Sequence, residues 1–400
     1  MGRSMSVVTK ADHVEKVATP LTVANPFFDL AYTVYRSGAN LYQREHEYFA
    51  PAASNGTTEH KLEYVIGSGL HGQTFLVTRG GYLFQAPLSF YSRSQRWALS
   101  PGYEFVESGF NRPITRACLT CHSSTNALLA GRGLQDGPSR AVADQELAIG
   151  CENCHGPGQR HVAERRQHIT VAGGHDTSIV NPARLPSQLS EDICMNCHQG
   201  NDVRILQPGR DFSDFRPGRP LREVLAIFAM PPTATNLQRS DLLDQHFSIK
   251  ASTCYQASGG RFTCLTCHNP HVEVPVGSQA DYYRGKCLTC HKETSCALPV
   301  AERSRRQGTD NCTACHMPKR DLAEVPHTAL TNHRIAHEGA PFPRAAFSLT
   351  PELPDLIYVN GPPNHEREPL AREVLYRAYG ELAGRRPEYL ERYLLLRNRR

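Results

Sequence analysis

Residues 264–291 read CLTCHNPHVEVPVGSQADYYRGKCLTCH, a segment that opens and closes on the same five-residue pattern. Cys264, Cys267 and His268 form one copy; Cys287, Cys290 and His291 form the next. Working outward, the pattern recurs at Cys118, Cys121, His122, at Cys151, Cys154, His155, at Cys194, Cys197, His198 and at Cys312, Cys315, His316. Six copies use twelve of the 14 cysteines and leave Cys254 and Cys296. C-x-x-C-H is the attachment signature of c-type haem: two thiols form thioethers to the macrocycle, and the adjacent histidine becomes the proximal iron ligand. Thiols three positions apart share one face of a helical turn, so both reach the edge of one macrocycle.

C-x-x-C has two other uses. Zinc ribbons take two pairs per metal, usually within about 12–20 residues, and a single pair can be a dithiol redox site. Successive motifs here start 33, 43, 70, 23 and 25 residues apart, and zinc does not call for a histidine after every second cysteine. Covalent haem, six groups per chain, is the reading that explains the whole pattern.

Composition agrees. Only 40% of the 400 residues are hydrophobic, mean hydropathy is -0.46, and Gly and Pro number 30 and 28. That leaves little for a large aliphatic core, whereas six apolar macrocycles between Cys118 and His316 would supply one. At one motif per about 33 residues neighbouring haems would nearly touch and would conduct electrons. No apolar run is long enough to span a membrane, and Met1 to Ala18 is too polar for a signal-peptide core. The net charge of +5 would be cancelled by haem propionates, so nucleic-acid binding has no support, and basic residues are expected to pair with propionates.

Each iron needs a second axial ligand. Only five methionines are present, Met195 inside a motif and Met317 directly after one, so histidine is the better supplied donor: 13 of the 19 lie outside the motifs. His161 follows CENCHGPGQR, where Gly156, Pro157 and Gly158 break the motif helix and let a segment from Gln159 swing an imidazole to a neighbouring iron. His271 lies three residues after His268 and would serve an adjacent iron. His327 and His333 follow the last motif in a loop that must fold back. His246 falls on a helical pattern from Ser240 to Thr253, and His71 on the turn GSGLHG. His13, His46, His60 and His365 read as surface or core histidines; His168, His175 and His337 have no assigned role. Cys254 and Cys296 are compatible with a disulfide or with two buried thiols.

Outside the motifs, Leu30 to Val34 and Leu41 to Glu45 flank one turn, Phe75 to Thr78 and Tyr82 to Gln85 another, which predicts two hairpins. Tyr91, Trp97, Tyr103 and Phe105 are expected to pack against the haems. Pro220 to Ala229 reads as a helix, and Leu370 to Ala383 and Glu388 to Asn398 as an antiparallel helix pair.

The six motifs, with CHGPG followed by a histidine and CHMP followed by more, resemble the multihaem c-type cytochrome superfamily that includes the hydroxylamine-pathway tetrahaem electron carrier and pentahaem nitrite reductases. YVIGSGLHGQTFLV, RWALSPGYE, IVNPARLP, FRPGRPLREVLA, CYQASGGRFTCLTCHNPH and CHMPKR resemble, more closely, bacterial multihaem cytochromes with C-terminal tetratricopeptide repeats. The resemblance implies proximal ligation by the six motif histidines and distal ligation by His71, His161, His246, His271, His327 and His333. It also implies a chain shortened at its amino terminus, since in such relatives a segment like Met1 to Met5 follows an export signal and an earlier C-x-x-C-H. The expected fold class is α+β, mostly α and irregular: a haem-packed core in residues 111–340, an N-terminal β-hairpin region in 1–110, and a linker with a helix pair in 341–400 like the start of a repeat region.

The function implied is single-electron transfer along bis-histidine haems between a redox-protein donor and acceptor, in the periplasm or outside the cell, with membranes reached only through a partner. The alternative is an oxidoreductase in which one open-site haem acts on a small nitrogen or sulfur compound. Against it, no motif replaces its histidine by the lysine that marks the catalytic haem of many nitrite reductases, and no acid/base pair stands out. The helical tail is a candidate docking module under either reading.

Overall fold

The structure, a computed structural model, describes residues 3–12, 14, 19–49, 57–92, 94–104, 106–124, 137–143, 146–169, 171–198, 203–230, 245–307, 309–318, 331–336, 356–361 and 372–398. The chain divides into two compact units: Met1–Ile179 with Asp211–Ser213 and Ala323–Pro326, and Val180–Arg210 with Asp214–Leu322 and His327–Arg400. Motifs one and two lie in the first unit, motifs three to six in the second.

The first unit is built on nine strands: β1 (Met5–Val7), β2 (Leu21–Asn25), β3 (Leu30–Ser37), β4 (Asn40–Glu47), β5 (Thr58–Leu62), β6 (Tyr64–Ile66), β7 (Gly72–Arg79), β8 (Tyr82–Tyr91) and β9 (Arg96–Leu99). They form two antiparallel sheets, ordered β1-β6-β7-β8-β9 and β2-β3-β4-β5. Both expected hairpins are present. β3 pairs β4 from Leu30↔Glu47 to Ser37↔Asn40, and β7 pairs β8 from Gly72↔Tyr91 to Arg79↔Tyr82 with an irregularity between Thr74 and Leu76. Gly80 and Gly81, at φ 56° and 81°, give the second turn the two left-handed residues that match the twist of paired strands.

Alternation along the strands sends side chains to both faces of the five-stranded sheet. Val65, Phe75, Val77, Leu88 and Trp97 pack on one side with Tyr32, Val34, Leu41 and Leu62 of the other sheet. Ile66, Leu76 and Leu83 pack on the opposite side with Met5, Ile114 and Leu119. Leu119 belongs to α1 (Arg116–His122), so the helix carrying the first motif is docked on a sheet with its own core. Two further helices follow, α2 (Glu152–His155) and α3 (Gln159–Arg166). Trp97 packs within this sandwich at a tilt on Phe75 and edge-to-face on Phe90, ring centres 5.1 and 5.7 Å apart, and the buried Tyr103 hydroxyl lies 3.0 Å from the Gln85 carbonyl and 3.1 Å from that of Gly109. These aromatics serve the β core, correcting the expectation that they pack against haem; Phe105 lies outside the described residues.

The second unit contains α4 (Ser187–Met195), β10 (Val203–Leu206), β11 (Leu225–Ala229), six short helices and a closing layer. The helices are α5 (Gln245–Lys250), α6 (Thr253–Ala257), α7 (Cys264–Cys267), α8 (Gln279–Leu288), α9 (Val300–Gln307) and α10 (Cys312–His316). β12 (Ile357–Tyr358), α11 (Arg372–Arg385) and α12 (Leu390–Arg397) close the chain. β10, β11 and β12 form a third antiparallel sheet, covered by α11 and its neighbour through Val203, Phe228, Tyr358, Val374, Ala378 and Leu382. The helix pair is as expected, with Tyr376 and Tyr393 stacked at 4.7 Å and their hydroxyls 2.7 Å apart.

The helix expected over Pro220 to Ala229 is instead one 3-10 turn, Leu221–Glu223, followed by β11. A five-residue apolar run with all five side chains buried fits a central strand as well as a helix face, and β10 and β12 on either side decide it. Among the described residues the fold is therefore α+β with twelve α-helices and three antiparallel sheets, richer in strands than expected.

From Thr253 to Pro318 the second unit behaves differently. Every described side chain there is half-buried or exposed. Helices of four to ten residues do not stand alone in water, so this stretch lacks a polypeptide core.

Two substitutions test the first unit. Gln43 is fully buried and its side-chain amide both donates to the Leu88 carbonyl and accepts the Leu88 N–H, each at 2.9 Å, tying β4 to β8. Gln43→Leu orphans both Leu88 groups and is expected to lower stability by about 2–4 kcal/mol in urea unfolding. Gly67 has φ 108° and any Cβ there would overlap the Gly72 carbonyl. Gly67→Ala is expected to lower stability by about 1–3 kcal/mol, measured the same way.

Candidate functional site

In the first unit, local structure turns each motif outward by anchoring the residues around its thiols. Arg116, Leu119 and Thr120 of α1 are buried, with Arg116 paired to Asp211 at 2.6 Å, while Cys118, Cys121 and His122 remain partly open. In the second motif, Asn153 accepts the Gly150 N–H at 3.0 Å and donates to the Ser123 carbonyl at 3.2 Å, and Glu152 accepts the Gly158 N–H at 2.8 Å. Ser4 completes the link, donating to the His122 carbonyl at 3.0 Å and accepting the Ile149 N–H at 3.1 Å. Motifs one and two are thereby held side by side.

Gly156, at φ 73°, ends α2 and lets α3 begin at Gln159, as the GPG break predicts. His161, on α3, donates Nδ1–H to Oδ2 of Asp176 at 2.9 Å. Oδ1 of Asp176 takes the Ser178 backbone N–H at 2.9 Å and the Ser178 hydroxyl. These two Ser178 bonds first, then His161 and Arg165, hold the Asp176 carboxyl down to about 2.

In the second unit, Cys194 sits at the end of α4, with Cys197 and His198 in the turn beyond. α7 carries motif four and opens on a capping box between Thr263 and Thr266. Cys287 is in the last turn of α8, and Asn311 caps α10, its side chain accepting the Thr313 N–H at 3.0 Å. Thiols of different motifs meet. Cys264 is hydrogen-bonded to Cys194, which together with burial pushes its thiol up; Cys287, raised to about 11 first by burial and then by Cys312, faces the sixth motif. Arg284 and Arg303 join Glu293 and Asp310, with Arg284 to Asp310 at 3.0 Å and Arg303 to Glu293 and Asp310 at 3.3 and 3.1 Å, while Arg284 also pairs with Glu293. This clamp holds the segments flanking motifs five and six.

The segment 331–336 lies against motif six. Asn332 N–H donates to the Pro318 carbonyl and Ala336 N–H to the His316 carbonyl, at 3.1 and 3.2 Å. It brings His333 to His268 with ring centres 6.2 Å apart. Two imidazoles on opposite sides of one metal, bonded at about 2 Å each, have ring centres about 6 Å apart.

A regularity runs through the ring nitrogens. His161, His268, His316 and His333 each have Nδ1 against an oxygen: Asp176 at 2.9 Å, the Tyr283 hydroxyl at 3.3 Å, the Ala336 carbonyl at 3.1 Å and the Thr331 carbonyl at 3.0 Å. Among the described residues none is hydrogen-bonded to their Nε2. That is how a metal-binding imidazole is oriented, one nitrogen fixed by an outer partner and the other presented. His246 is oriented differently. It is buried, and its Nε2 lies 3.0 Å from Oε2 of buried Glu191, with Lys250 4.0 Å from the same oxygen. His46, by contrast, has both nitrogens engaged, by Thr33 and the Glu47 carbonyl. His71 and His271 are exposed, on the turn before β7 and the turn after α7; His327 lies outside the described residues.

All 14 cysteines are thiols rather than disulfides, and Cys254 neighbours Cys290 and Cys267 whereas Cys296 contacts Arg303. Among the described residues no three His, Cys, Asp or Glu side chains converge as a zinc cage requires; haem iron takes two axial ligands. Sequence reading missed Asp176 and Tyr283, 15 residues from the histidines they hold and marked by no motif.

No family profile matches the chain, and no curated protein does. Among solved structures, the chain is similar to one described as the crystal structure of outer cell wall cytochrome OcwA, at 13% identity and a TM-score of 0.37, over 68% of each chain.

Proposed function

We propose that the chain is a multihaem c-type cytochrome that passes single electrons along six covalently attached haems. The observation that carries this reading is the stretch from Thr253 to Pro318, which holds three C-x-x-C-H motifs on ordered helices and buries no side chain among its described residues. Bound there, haem would supply both a one-electron iron couple and the apolar faces that the polypeptide lacks.

The residues have separable roles. Cys118, Cys121, Cys151, Cys154, Cys194, Cys197, Cys264, Cys267, Cys287, Cys290, Cys312 and Cys315 are the attachment thiols. His122, His155, His198, His268, His291 and His316 are the proximal ligands, and His333 is the distal partner of His268, supported by their spacing and by the carbonyl that turns its Nε2 outward. His161 is distal because the Asp176 carboxylate holds its Nδ1 and leaves Nε2 presented. His71, His271 and His327 are the remaining distal ligands. His246 is not one of them, because Glu191 holds its Nε2. Haem attachment implies an exported setting and redox-protein partners on both sides. No helix among the described residues is long and apolar enough to cross a membrane.

The removal of His246 favours a second reading, since six irons are then matched by five distal histidines. In it, one iron keeps an open site for a small nitrogen or sulfur compound.

The test is expression of the full chain behind an export leader in a host that matures c-type cytochromes, followed by haem quantitation and spectra before and after carbon monoxide. About six haems per chain is expected; absence of haem refutes the proposal. No carbon monoxide response supports the carrier, and a response from one haem equivalent supports the open-site reading. His333→Gly is expected to add one carbon monoxide-binding haem, and His246→Gln to add none. The haem-free chain should be cut by protease first between residues 253 and 318, with the β sandwich persisting, as mass spectrometry of the fragments would show.

A further inference from the structure

The four histidines held through Nδ1 are not held alike. Three face neutral oxygens, the Tyr283 hydroxyl and the carbonyls of Ala336 and Thr331, whereas His161 faces a carboxylate. Asp176 is itself fixed: Ser178 occupies its Oδ1 through both N–H and hydroxyl, which leaves Oδ2 to His161. Arg165, one turn beyond His161 on α3, approaches Oδ2 only to 3.8 Å, too far for a hydrogen bond. An anionic acceptor at Nδ1 draws the ring proton away, makes Nε2 a stronger donor and favours the higher oxidation state of the iron it binds.

We propose that Asp176 is a positioning residue for His161, aiming its Nε2 and lowering the reduction potential of the iron that His161 ligates. The proposal rests on the haem reading and on His161 as an axial ligand. It sets one centre in the chain apart as a low-potential donor, so that an electron placed there moves readily to its neighbours.

The experiment uses the haem-loaded full chain and compares Asp176→Asn, Ser178→Ala and His161→Ala by spectroelectrochemical titration and low-temperature EPR, with haem content measured for each. Asp176→Asn is expected to keep six haems, raise the midpoint of one and shift that haem's low-spin EPR signal. Ser178→Ala, which removes the hydroxyl that holds Asp176 Oδ1 and lies 3.5 Å from His161 Nδ1 but keeps the carboxylate, is expected to shift the same haem less in the same direction. His161→Ala should yield one carbon monoxide-binding haem. If His161→Ala does so while Asp176→Asn leaves every midpoint and EPR signal unchanged, the role of Asp176 is overturned and the ligand assignment stands. If His161→Ala leaves all haems closed to carbon monoxide, the ligand assignment fails and the role of Asp176 falls with it. A chain without haem refutes the underlying reading instead.

Discussion

Burial of apolar surface is the constraint on which everything else in this molecule depends, and the two units meet it in opposite ways. In the first, alternating strands enclose Phe75, Leu88, Trp97 and their neighbours between two sheets, and the motif helices attach to a scaffold that already has its core. In the second, the sheet β10-β11-β12 and the pair α11 and α12 make a small core, but α6 to α10 contribute nothing to it. Polar devices hold these helices: the Arg284, Arg303, Glu293, Asp310 clamp, the Thr263 capping box and the Asn311 cap. Partly exposed ion pairs are worth little each and cannot replace hydrophobic burial. Among its described residues the segment buries no side chain of its own.

Ring-nitrogen usage separates histidines that composition cannot. His161, His268, His316 and His333 direct Nδ1 to an oxygen, while His246 directs Nε2 to Glu191 and sits where neither Glu191 Oε1 nor its own Nδ1 has a hydrogen-bond partner among the described residues. A buried pair with such orphaned atoms is costly, and its Glu191 lies on the same helix as Cys194.

What was legible in the sequence was local. The motifs, the Gly80-Gly81 turn, the GPG break before α3 and the apolar periodicity of α11 and α12 each lie within a few residues of the structure they specify. What escaped depends on distant partners. β11 looked helical because Leu221, Val224, Leu225 and Phe228 recur at helical spacing after Pro220, and the strand that settles the matter, β12, lies 130 residues further on. Trp97 and Tyr103 looked like haem packing because their β-sheet neighbours, Phe75 and Gln85, are identified only by strand register. Asp176 was one carboxylate among 39 acidic residues until the loop after α3 placed it against His161.

The motifs differ in how their variable positions are used, and this follows from the same division. In C-L-T-C-H, Leu119 and Thr120 are buried; in C-M-N-C-H, Met195 is; in C-E-N-C-H, Glu152 and Asn153 make the bonds that fix the turn. These residues anchor the backbone, so the thiols and imidazole are presented outward from a rigid base. In the last three motifs none of the positions between the cysteines is buried, although motif four repeats the sequence of motif one letter for letter between its cysteines. Leu265 and Leu119 have the same side chain and the same motif position, yet one finds a sheet to pack on and the other does not. The motif thus specifies attachment alone. Whether its helix packs on protein is decided by the surrounding fold.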